Sequence, residues 1–372
     1  MSTLSKANRI IIKIGSSLLV EKKTGKINKE WLISFAEDIY KLQSDGKQIL
    51  IVSSGAIALG KKYLGINKDK LKLEESQAAA AAGQSRLLYA YQECLAEHNI
   101  SIAQVLLTID DTEERRKYLN ARNTIETLIN LSVIPIINEN DTVATSEIKF
   151  GDNDRLSAKV AVMTSADYLI LLSDVDGLYT ADPMIDSKST FISEVLDINN
   201  EIEDMGGDTI GNYGKGGMAT KISAAKISTK AGCSTIIAKG SIKLPITSIL
   251  KGGKATWFKA LSTPKKAKKK WIASNLKSLG SITIDEGAKK ALLVGKSLLP
   301  AGVIQINSNF NRGDPVNVLD KSGNIIAKGL ISYSSEDAKI ICGFKSNEIE
   351  TILGYAGRDE MIHRDELALM IN

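Results

Sequence analysis

Residues 49–58 read Ile49-Leu-Ile-Val-Ser-Ser-Gly-Ala-Ile-Ala58, which is an apolar run, a turn of small residues and the start of a helix-like segment. A short apolar run that ends in Ser, Ser and Gly is typical of a strand buried on both faces. Strands of this kind occur where helices cover both sides of a parallel sheet. The stretch therefore predicts an α/β fold.

The same alternation of apolar runs and helix-like segments extends on both sides of this stretch, as far as about residue 250. The predicted strands are residues 10–14, 49–52, 102–107, 133–137, 168–172 and 234–238. The predicted helices are residues 29–43, 76–98, 118–131, 156–164 and 218–231. We expect a three-layer αβα sandwich with a mainly parallel sheet.

Downstream of about Leu279 the pattern changes to short strands separated by glycine-containing turns. The predicted strands are residues 281–284, 303–307, 315–319, 325–330 and 339–342. This pattern predicts a small β-barrel-like module. The predicted organisation is a first domain over residues 1–258, a basic linker over 259–278, and a second domain with a C-terminal tail over 279–372.

The 372-residue chain has the composition of a globular protein of about two domains, with 43% hydrophobic and 24% charged residues. No apolar run approaches the roughly 18 residues that suggest a membrane-spanning helix. The first residues lack the basic and apolar regions of a signal peptide. We therefore expect a cytoplasmic protein without a membrane partner.

Cysteine and histidine usage argues against metal or disulfide sites built from these residues. Cys94, Cys233 and Cys342 are odd in number and far apart, which predicts reduced, mostly structural thiols. His98 and His363 are the only histidines and do not have the spacing of metal ligands. Zinc held by histidine and histidine-based catalysis are therefore not expected.

The net charge of +5 is local. Residues 251–270 hold eight lysines and no acidic residue, so the remainder of the chain carries a net charge of −3. The basic segment does not by itself indicate a nucleic-acid-binding protein, because the rest of the sequence has no excess of basic residues.

Two predicted strand ends carry candidate phosphate-binding loops. Lys13 lies on an otherwise apolar strand, and residues 15–17 after it are Gly-Ser-Ser. A buried lysine needs an anionic partner, such as a phosphate, whereas a lysine on an edge strand could extend into solvent. Residues 53–58 could expose N–H groups at the positive end of a helix, although a plain tight turn fits as well. Neither loop has the P-loop pattern.

Asn and Asp residues cluster after the strand predicted at residues 133–137. Residues 138–141 are Asn-Glu-Asn-Asp, and residues 151–154 are Gly-Asp-Asn-Asp. Their amides and carboxylates suit a small polar zwitterion, the organisation of lysines, or a metal. A pair of Asx-rich turns is the alternative, and the spacing of an EF-hand is absent.

Two later loops complete the set of candidates. The strand at residues 168–172 ends in Ser173 and Asp174, and the glycine-rich residues 213–217 open a helix that contains Lys221. Glycines allow the backbone to approach phosphate oxygens closely, and Lys221 could reach the same phosphates. A flexible glycine loop is the alternative.

In series, these motifs resemble the glutamate 5-kinase family of the amino-acid-kinase superfamily. They are K-I-G-S-S at 13–17, S-S-G-A-I-A at 53–58, N-A-R at 120–122, I-N-E-N-D at 137–141, G-D-N-D at 151–154, D-V-D-G-L-Y-T-A-D-P at 174–183 and G-G-M-A-T-K at 216–221. The C-terminal part resembles a PUA domain through S-I-T-I-D-E-G-A at 281–288, S-L-L-P-A-G-V at 297–303 and N-R-G-D-P-V at 311–316.

The resemblance implies roles for individual residues. The implied catalytic residues are Lys13, Lys221 and Asp154, with Asp154 orienting the two lysines. The implied glutamate-binding residues are Ser54, Asp141 and Asn153. The implied ATP-binding residues are Lys13, Ser173, Asp174, Lys215, Gly216, Gly217, Met218, Ala219, Thr220 and Lys221. The chain departs from the family at Ser173 and Lys215, where threonine is frequent.

The activity that the resemblance implies is ATP-dependent phosphorylation of the γ-carboxylate of L-glutamate, the first step of proline synthesis. The implied cofactors are ATP and Mg²⁺, with no protein ligand assigned to the metal. L-proline is the implied inhibitor, a homodimer or homotetramer the implied assembly, and glutamyl-phosphate reductase a candidate recipient of the product.

Two other functions are alternatives to glutamate phosphorylation. A PUA-like module and a lysine run would suit an RNA-binding or RNA-modifying protein, but the kinase-like loops would then have no purpose. Acetylglutamate or aspartate kinase is the alternative within the superfamily, and the pattern of Asn and Asp at residues 137–154 argues against both.

Overall fold

The computed structural model describes residues 3–21, 23–68, 70–143, 153–207 and 217–370. The chain divides into two compact units, Met1–Pro264 and Lys265–Asn372. All three cysteines are free thiols. Within the described residues, no helix combines the length and the apolar character needed to cross a membrane.

The strands of the first unit are β1 (Arg9–Ile14), β2 (Gln48–Ser53), β3 (Ile102–Leu107), β4 (Ile134–Glu139), β5 (Tyr168–Ser173), β6 (Leu178–Tyr179), β7 (Phe191–Ile192), β8 (Glu194–Val195), β9 (Ser234–Lys239) and β10 (Ala255–Phe258). Its helices are α1 (Ser16–Leu19), α2 (Lys29–Ser44), α3 (Ala56–Tyr63), α4 (Leu73–Ala96), α5 (Ile109–Glu113), α6 (Arg115–Asn130), α7 (Asn153–Thr164), α8 (Asn200–Asp204), α9 (Met218–Lys230) and α10 (Pro245–Leu250).

Eight of these strands form one sheet in the order β3-β4-β2-β1-β5-β9-β10-β8. The six strands from β3 to β9 in this order are parallel, β10 is antiparallel to β9, and β8 is parallel to β10. Strands β6 and β7 pair separately as a short antiparallel ladder. The predicted, mainly parallel sheet is confirmed, and β10 is a strand that the pattern did not predict.

Helices cover both faces of this sheet. Side chains alternate along each central strand, so each of these strands contributes to a core cluster on either face. Ile10, Ile12 and Ile14 pack in one core cluster with residues of α2 and α4. Ile11 packs in the opposite cluster with residues of α6, α7 and α9. Alternation places Lys13 on the same face of β1 as Ile11, which is the face covered by α7 and α9.

The second unit contains strands β11 (Gly280–Ile284), β12 (Val303–Ile306), β13 (Pro315–Leu319), β14 (Ile325–Leu330) and β15 (Leu367–Leu369). Its helices are α12 (Glu286–Leu293), α13 (Ser335–Ile341) and α14 (Ile349–Leu353), and α11 (Pro264–Asn275) begins at the boundary of the units. The five strands form one sheet in the order β12-β11-β13-β14-β15. Helix α11 occupies much of the segment predicted as a basic linker.

The strand predicted at residues 339–342 is wrong, because residues up to Ile341 belong to helix α13. The Ser334 side chain accepts a hydrogen bond from the Asp337 backbone N–H and so caps the helix. Ala338 and Ile341 are buried three residues apart on one helical face. A short β-branched run can serve either structure, and the cap and this spacing favour the helix.

Candidate active site

Backbone hydrogen bonds join the loops that follow the central strands. The Ser54 N–H donates to the Ile14 carbonyl at 3.2 Å, and the Gly15 N–H donates to the Leu172 carbonyl at 3.3 Å. The Gly240 N–H donates to the Ser173 carbonyl at 2.7 Å. The carboxyl ends of β1, β2, β5 and β9 therefore lie at one edge of the sheet, which is where α/β proteins bind ligands.

Two lysines share one carboxylate at this edge. Lys13 Nζ lies 2.6 Å from Asp154 Oδ1, and Lys221 Nζ lies 3.2 Å from Asp154 Oδ2. The Thr220 hydroxyl donates to Asp154 Oδ2 at 2.9 Å. Lys13, Lys221 and Asp154 are all buried. The charges of these three side chains sum to one positive charge away from bulk water, an arrangement that suits the binding of an anion.

The two lysines also set the ionisation of the carboxylate between them. Burial alone would raise the pKa of Asp154, but the charges of Lys13 and Lys221 and their hydrogen bonds outweigh this effect and lower the pKa to about 2. Asp154 is therefore ionised at neutral pH. It is the fixed counter-charge that holds both ammonium groups in place.

The described part of the glycine loop leads directly into this cluster. Gly217 precedes α9, which begins at Met218 and contains Ala219, Thr220 and Lys221. Lys221 therefore lies in the first turn of this 13-residue helix, at the positive end of the helix dipole. Lys215 and Gly216, which belong to the predicted ATP-binding set, lie outside the described residues.

A network of amide side chains lies next to the lysine cluster. The two hydrogens of Asn153 Nδ2 are shared among three acceptors, which are Ser54 Oγ at 2.8 Å, the Ser53 carbonyl at 3.1 Å and Asn138 Oδ1 at 2.9 Å. Asn138 Nδ2 donates in turn to Gln84 Oε1 at 2.7 Å. Polar groups from β4, α4, α7 and the end of β2 are therefore held in one buried to half-buried arrangement.

Asp141 lies three residues after Asn138 and is also buried. Burial raises the pKa of its carboxyl group to about 6. A buried carboxylate that pays this desolvation penalty is well suited to pair with a cationic ligand, such as an ammonium group.

Ser173 and Asp174 follow β5 at the same edge of the sheet. The Ser173 hydroxyl accepts a hydrogen bond from the Val175 backbone N–H at 3.2 Å, which orders the turn. Ser173 is buried, whereas the Asp174 side chain is exposed. The turn could therefore hold one polar group inside and present one carboxylate to a ligand.

The turn before α3 requires glycine. Gly55 has a φ of 109°, in the left-handed region that favours this residue. Gly55 is the N-cap of α3. Its conformation allows the chain to turn directly from Ser54, which follows β2, into the helix. The small-residue turn seen in the sequence therefore has a conformational reason.

The structure thus brings six of the residues that the sequence indicates into two neighbouring sets of contacts. Lys13, Asp154, Thr220 and Lys221 form one cluster, and Ser54 joins Asn153 in the neighbouring network. Gln84 and Tyr91, whose hydroxyl lies 3.0 Å from Ser53 Oγ, were not predicted. Both lie in the helix α4, where the alanine-rich sequence indicates core packing rather than a site.

The described residues do not offer a cage for Mg²⁺. Both oxygens of Asp154 are already engaged by Lys13, Lys221 and Thr220. Within the described ranges, no group of three or more His, Cys, Asp or Glu side chains could hold a metal ion.

Two family models match this chain, one in each compact unit. The model of the amino acid kinase family matches residues 8–239, and that of the PUA domain matches residues 280–353. The solved structure of UMP kinase from Ureaplasma parvum aligns with 68% of this chain and 98% of its own, at 17% identity and a TM-score of 0.48.

Curated relatives match nearly the whole chain. Glutamate 5-kinase from Paramagnetospirillum magneticum is 53% identical over 369 residues, which cover 99% of this chain and 100% of the relative. Glutamate 5-kinase from Agrobacterium fabrum is 54% identical over 366 residues, which cover 98% and 94%. The chain therefore belongs to the amino acid kinase family and, within it, to the glutamate 5-kinases that carry a C-terminal PUA domain.

Proposed function

We propose that this protein transfers the γ-phosphoryl group of ATP to the γ-carboxylate of L-glutamate, and that Lys13, Lys221 and Asp154 form its catalytic centre. The products are L-glutamyl 5-phosphate and ADP, and the reaction is the first step of proline synthesis from glutamate. The observation that carries this proposal is the pair of buried lysines on one carboxylate, beside an amide network suited to an amino acid.

The reaction needs charge stabilisation rather than a general base. A carboxylate is already ionised at neutral pH, so its oxygen can attack the γ-phosphorus without losing a proton. The new O–P bond forms as the bond to the β–γ bridging oxygen breaks, and that oxygen leaves with ADP. The barrier lies in bringing two anions together, which positioning and cationic groups reduce.

Lys13 and Lys221 supply the cationic groups in this proposal. Both ammonium groups are buried and are held by Asp154, so they need little reorganisation when charge moves onto the phosphoryl oxygens. Asp154 acts as a positioning residue, because its oxygens are occupied by the two lysines and the Thr220 hydroxyl.

Glutamate binds in this proposal at Ser54, Asp141 and Asn153. The Asp141 carboxylate pairs with the α-ammonium group, and the pairing offsets the cost of its burial. Asn153 and Ser54 provide polar contacts to the same substrate, and Asn153 Nδ2 lies 2.8 Å from Ser54 Oγ.

ATP binds in this proposal at the loops on the other side of Lys13. Ser173 and Asp174 contact the nucleoside, and the glycine loop covers the phosphates. That loop comprises Lys215, Gly216, Gly217, Met218, Ala219, Thr220 and Lys221. Mg²⁺ bound together with the nucleotide would neutralise part of the charge of its phosphates.

We extend the proposal to the setting of the enzyme. The protein acts in the cytoplasm as a homodimer or homotetramer, and L-proline inhibits it. An acyl phosphate is prone to hydrolysis, so direct transfer of the product to glutamyl-phosphate reductase would protect it.

One assay tests the activity. Acyl phosphate is trapped with hydroxylamine and measured as hydroxamate, with L-glutamate, N-acetyl-L-glutamate and L-aspartate compared at equal concentration. We expect hydroxamate with ATP and L-glutamate at a rate far above that with the other two acceptors. A faster reaction with N-acetyl-L-glutamate or L-aspartate would contradict the proposal.

A further inference from the structure

Gln84 joins the polar network from the side of helix α4. Its Oε1 atom accepts a hydrogen bond from Asn138 Nδ2 at 2.7 Å, and Asn138 Oδ1 accepts one from Asn153 Nδ2 at 2.9 Å. Asn153 also donates to Ser54 Oγ at 2.8 Å. A continuous chain of hydrogen bonds therefore runs from Gln84 to Ser54 and passes through Asn153.

Helix α4 is anchored so that Gln84 has little freedom to move. Gly83 packs against α3 so closely that a β-carbon at this position would overlap the Ala56 carbonyl group. Seven residues after Gln84, on the same helical face, the buried Tyr91 hydroxyl lies 3.0 Å from Ser53 Oγ. The helix thus contacts the ends of β2 and β4 through Tyr91 and Gln84.

The network has unused hydrogen-bonding capacity at two points. Gln84 Nε2 and Asn153 Oδ1 are both inaccessible to solvent, and neither has a hydrogen-bond partner among the residues that the structure describes. An unpaired donor and an unpaired acceptor in a buried network are costly, so native proteins rarely keep them without a function.

We infer that Gln84 is a positioning residue for the amino-acid substrate, which acts through Asn138 on Asn153 and Ser54. This inference rests on the proposed function, because it assigns Gln84 to the glutamate subsite of that reaction. Loss of the Gln84 side-chain amide would let Asn138 rotate away from Asn153. Glutamate binding would then weaken, whereas the ATP subsite around Lys13 and Lys221 would keep its geometry.

Gln84→Met tests the inference, because methionine is unbranched, similar in length and favourable in helices. We expect the KM for glutamate to rise at least tenfold and the KM for ATP to stay within about twofold. Gln92→Met is the matched control, since Gln92 is an exposed residue of the same helix. It should leave both constants unchanged.

A double-mutant cycle separates action through Asn138 from a merely structural effect. Asn138→Ala should raise the KM for glutamate, and adding Gln84→Met should change it by less than twofold further. If the increases in glutamate KM of the two single variants multiply fully in the double variant, the inference is overturned. Gln84→Ala, measured the same way, replaces Gln84→Met in the cycle if the latter variant does not fold.

The outcomes distinguish this inference from the proposed function. An unchanged glutamate KM in a folded Gln84→Met variant, with active wild-type enzyme, would overturn the role of Gln84 alone. Wild-type protein that forms no hydroxamate from glutamate and ATP would contradict the proposed function itself. Equal increases in the KM values of glutamate and ATP would show a general loss of structure and would also overturn the inference.

Discussion

Asn153 and Asp154 are consecutive residues at the start of helix α7, yet their side chains enter two different networks. Asn153 donates to Ser54 Oγ at 2.8 Å, whereas Asp154 pairs with Lys13 at 2.6 Å and with Lys221 at 3.2 Å. In the proposed reaction, one helix end therefore links the amino-acid subsite to the phosphate subsite. A small shift of α7 would misalign both substrates.

The first prediction concerns the two lysines. Lys13→Ala and Lys221→Ala should each lower kcat by roughly 100-fold or more, the scale expected for the loss of one preorganised electrostatic group. The KM for glutamate should change much less. Lys226→Ala is the control, because Lys226 lies on the same helix as Lys221 but pairs with Glu203. Full turnover by Lys221→Ala would remove Lys221 from the catalytic centre.

The second prediction concerns Asp141. Asp141→Ala should raise the KM for glutamate strongly, because the α-ammonium group would lose its counter-charge, and should leave the KM for ATP near its original value. Steady-state kinetics with each substrate varied in turn provides the measurement. Asp110→Ala, at an exposed acidic residue, serves as the control. An unchanged glutamate KM would assign residues 138–141 to structure alone.

The third prediction follows from the raised pKa of Asp141, which is about 6. The ammonium group of glutamate binds the ionised carboxylate, so affinity is nearly full at pH 7, about half of that at pH 6 and lower at more acidic pH. Between pH 7 and pH 5 the KM for glutamate should rise about tenfold. Asp141→Asn should abolish this dependence. A glutamate KM independent of pH in the wild-type enzyme would contradict the assignment.

The fourth prediction concerns L-proline. Proline has an α-carboxylate and a cationic nitrogen, so it could occupy the pocket around Asp141, but it lacks a γ-carboxylate and cannot react. Inhibition should weaken as glutamate rises, and substitutions at residues 138–145 should change inhibition and glutamate KM together. Residues 144 and 145 lie outside the described residues.

The proline prediction is measured as the rate at fixed ATP across a grid of proline and glutamate concentrations. The absence of inhibition at millimolar proline would contradict regulation by this ligand. Inhibition that does not depend on glutamate would contradict a shared site.

The fifth prediction concerns the second unit. Truncation after Lys270 should leave glutamate kinase activity measurable, because every proposed site residue belongs to the first compact unit, which ends at Pro264. Hydroxamate formation by the truncated protein is compared with that of the full chain at equal concentration. A folded truncated protein without activity would show that the second unit is needed for the reaction.

The sequence predicted the first unit well, because its central strands are continuously apolar and end in turns of small or polar residues. Lys13 was noticeable for the same reason, as the single charged residue in a run of isoleucines. The strand predicted at residues 339–342 is wrong because this run, most of which belongs to helix α13, is too short for its period to separate the two structures.

The sequence by itself determined which residue types stand at the strand ends, and its motifs determined the family. Only the tertiary structure decided which of these side chains meet. Lys13 and Lys221 are more than two hundred residues apart, and they reach one carboxylate because β1, α7 and α9 contribute to the same face of the sheet. Gln84 could not have been predicted, because its role depends on the position of α4 beside β4, and nothing in an alanine-rich helix signals that contact. Side chains far apart in sequence meet according to strand order and helix packing, and these follow from burying the apolar faces of the whole domain together.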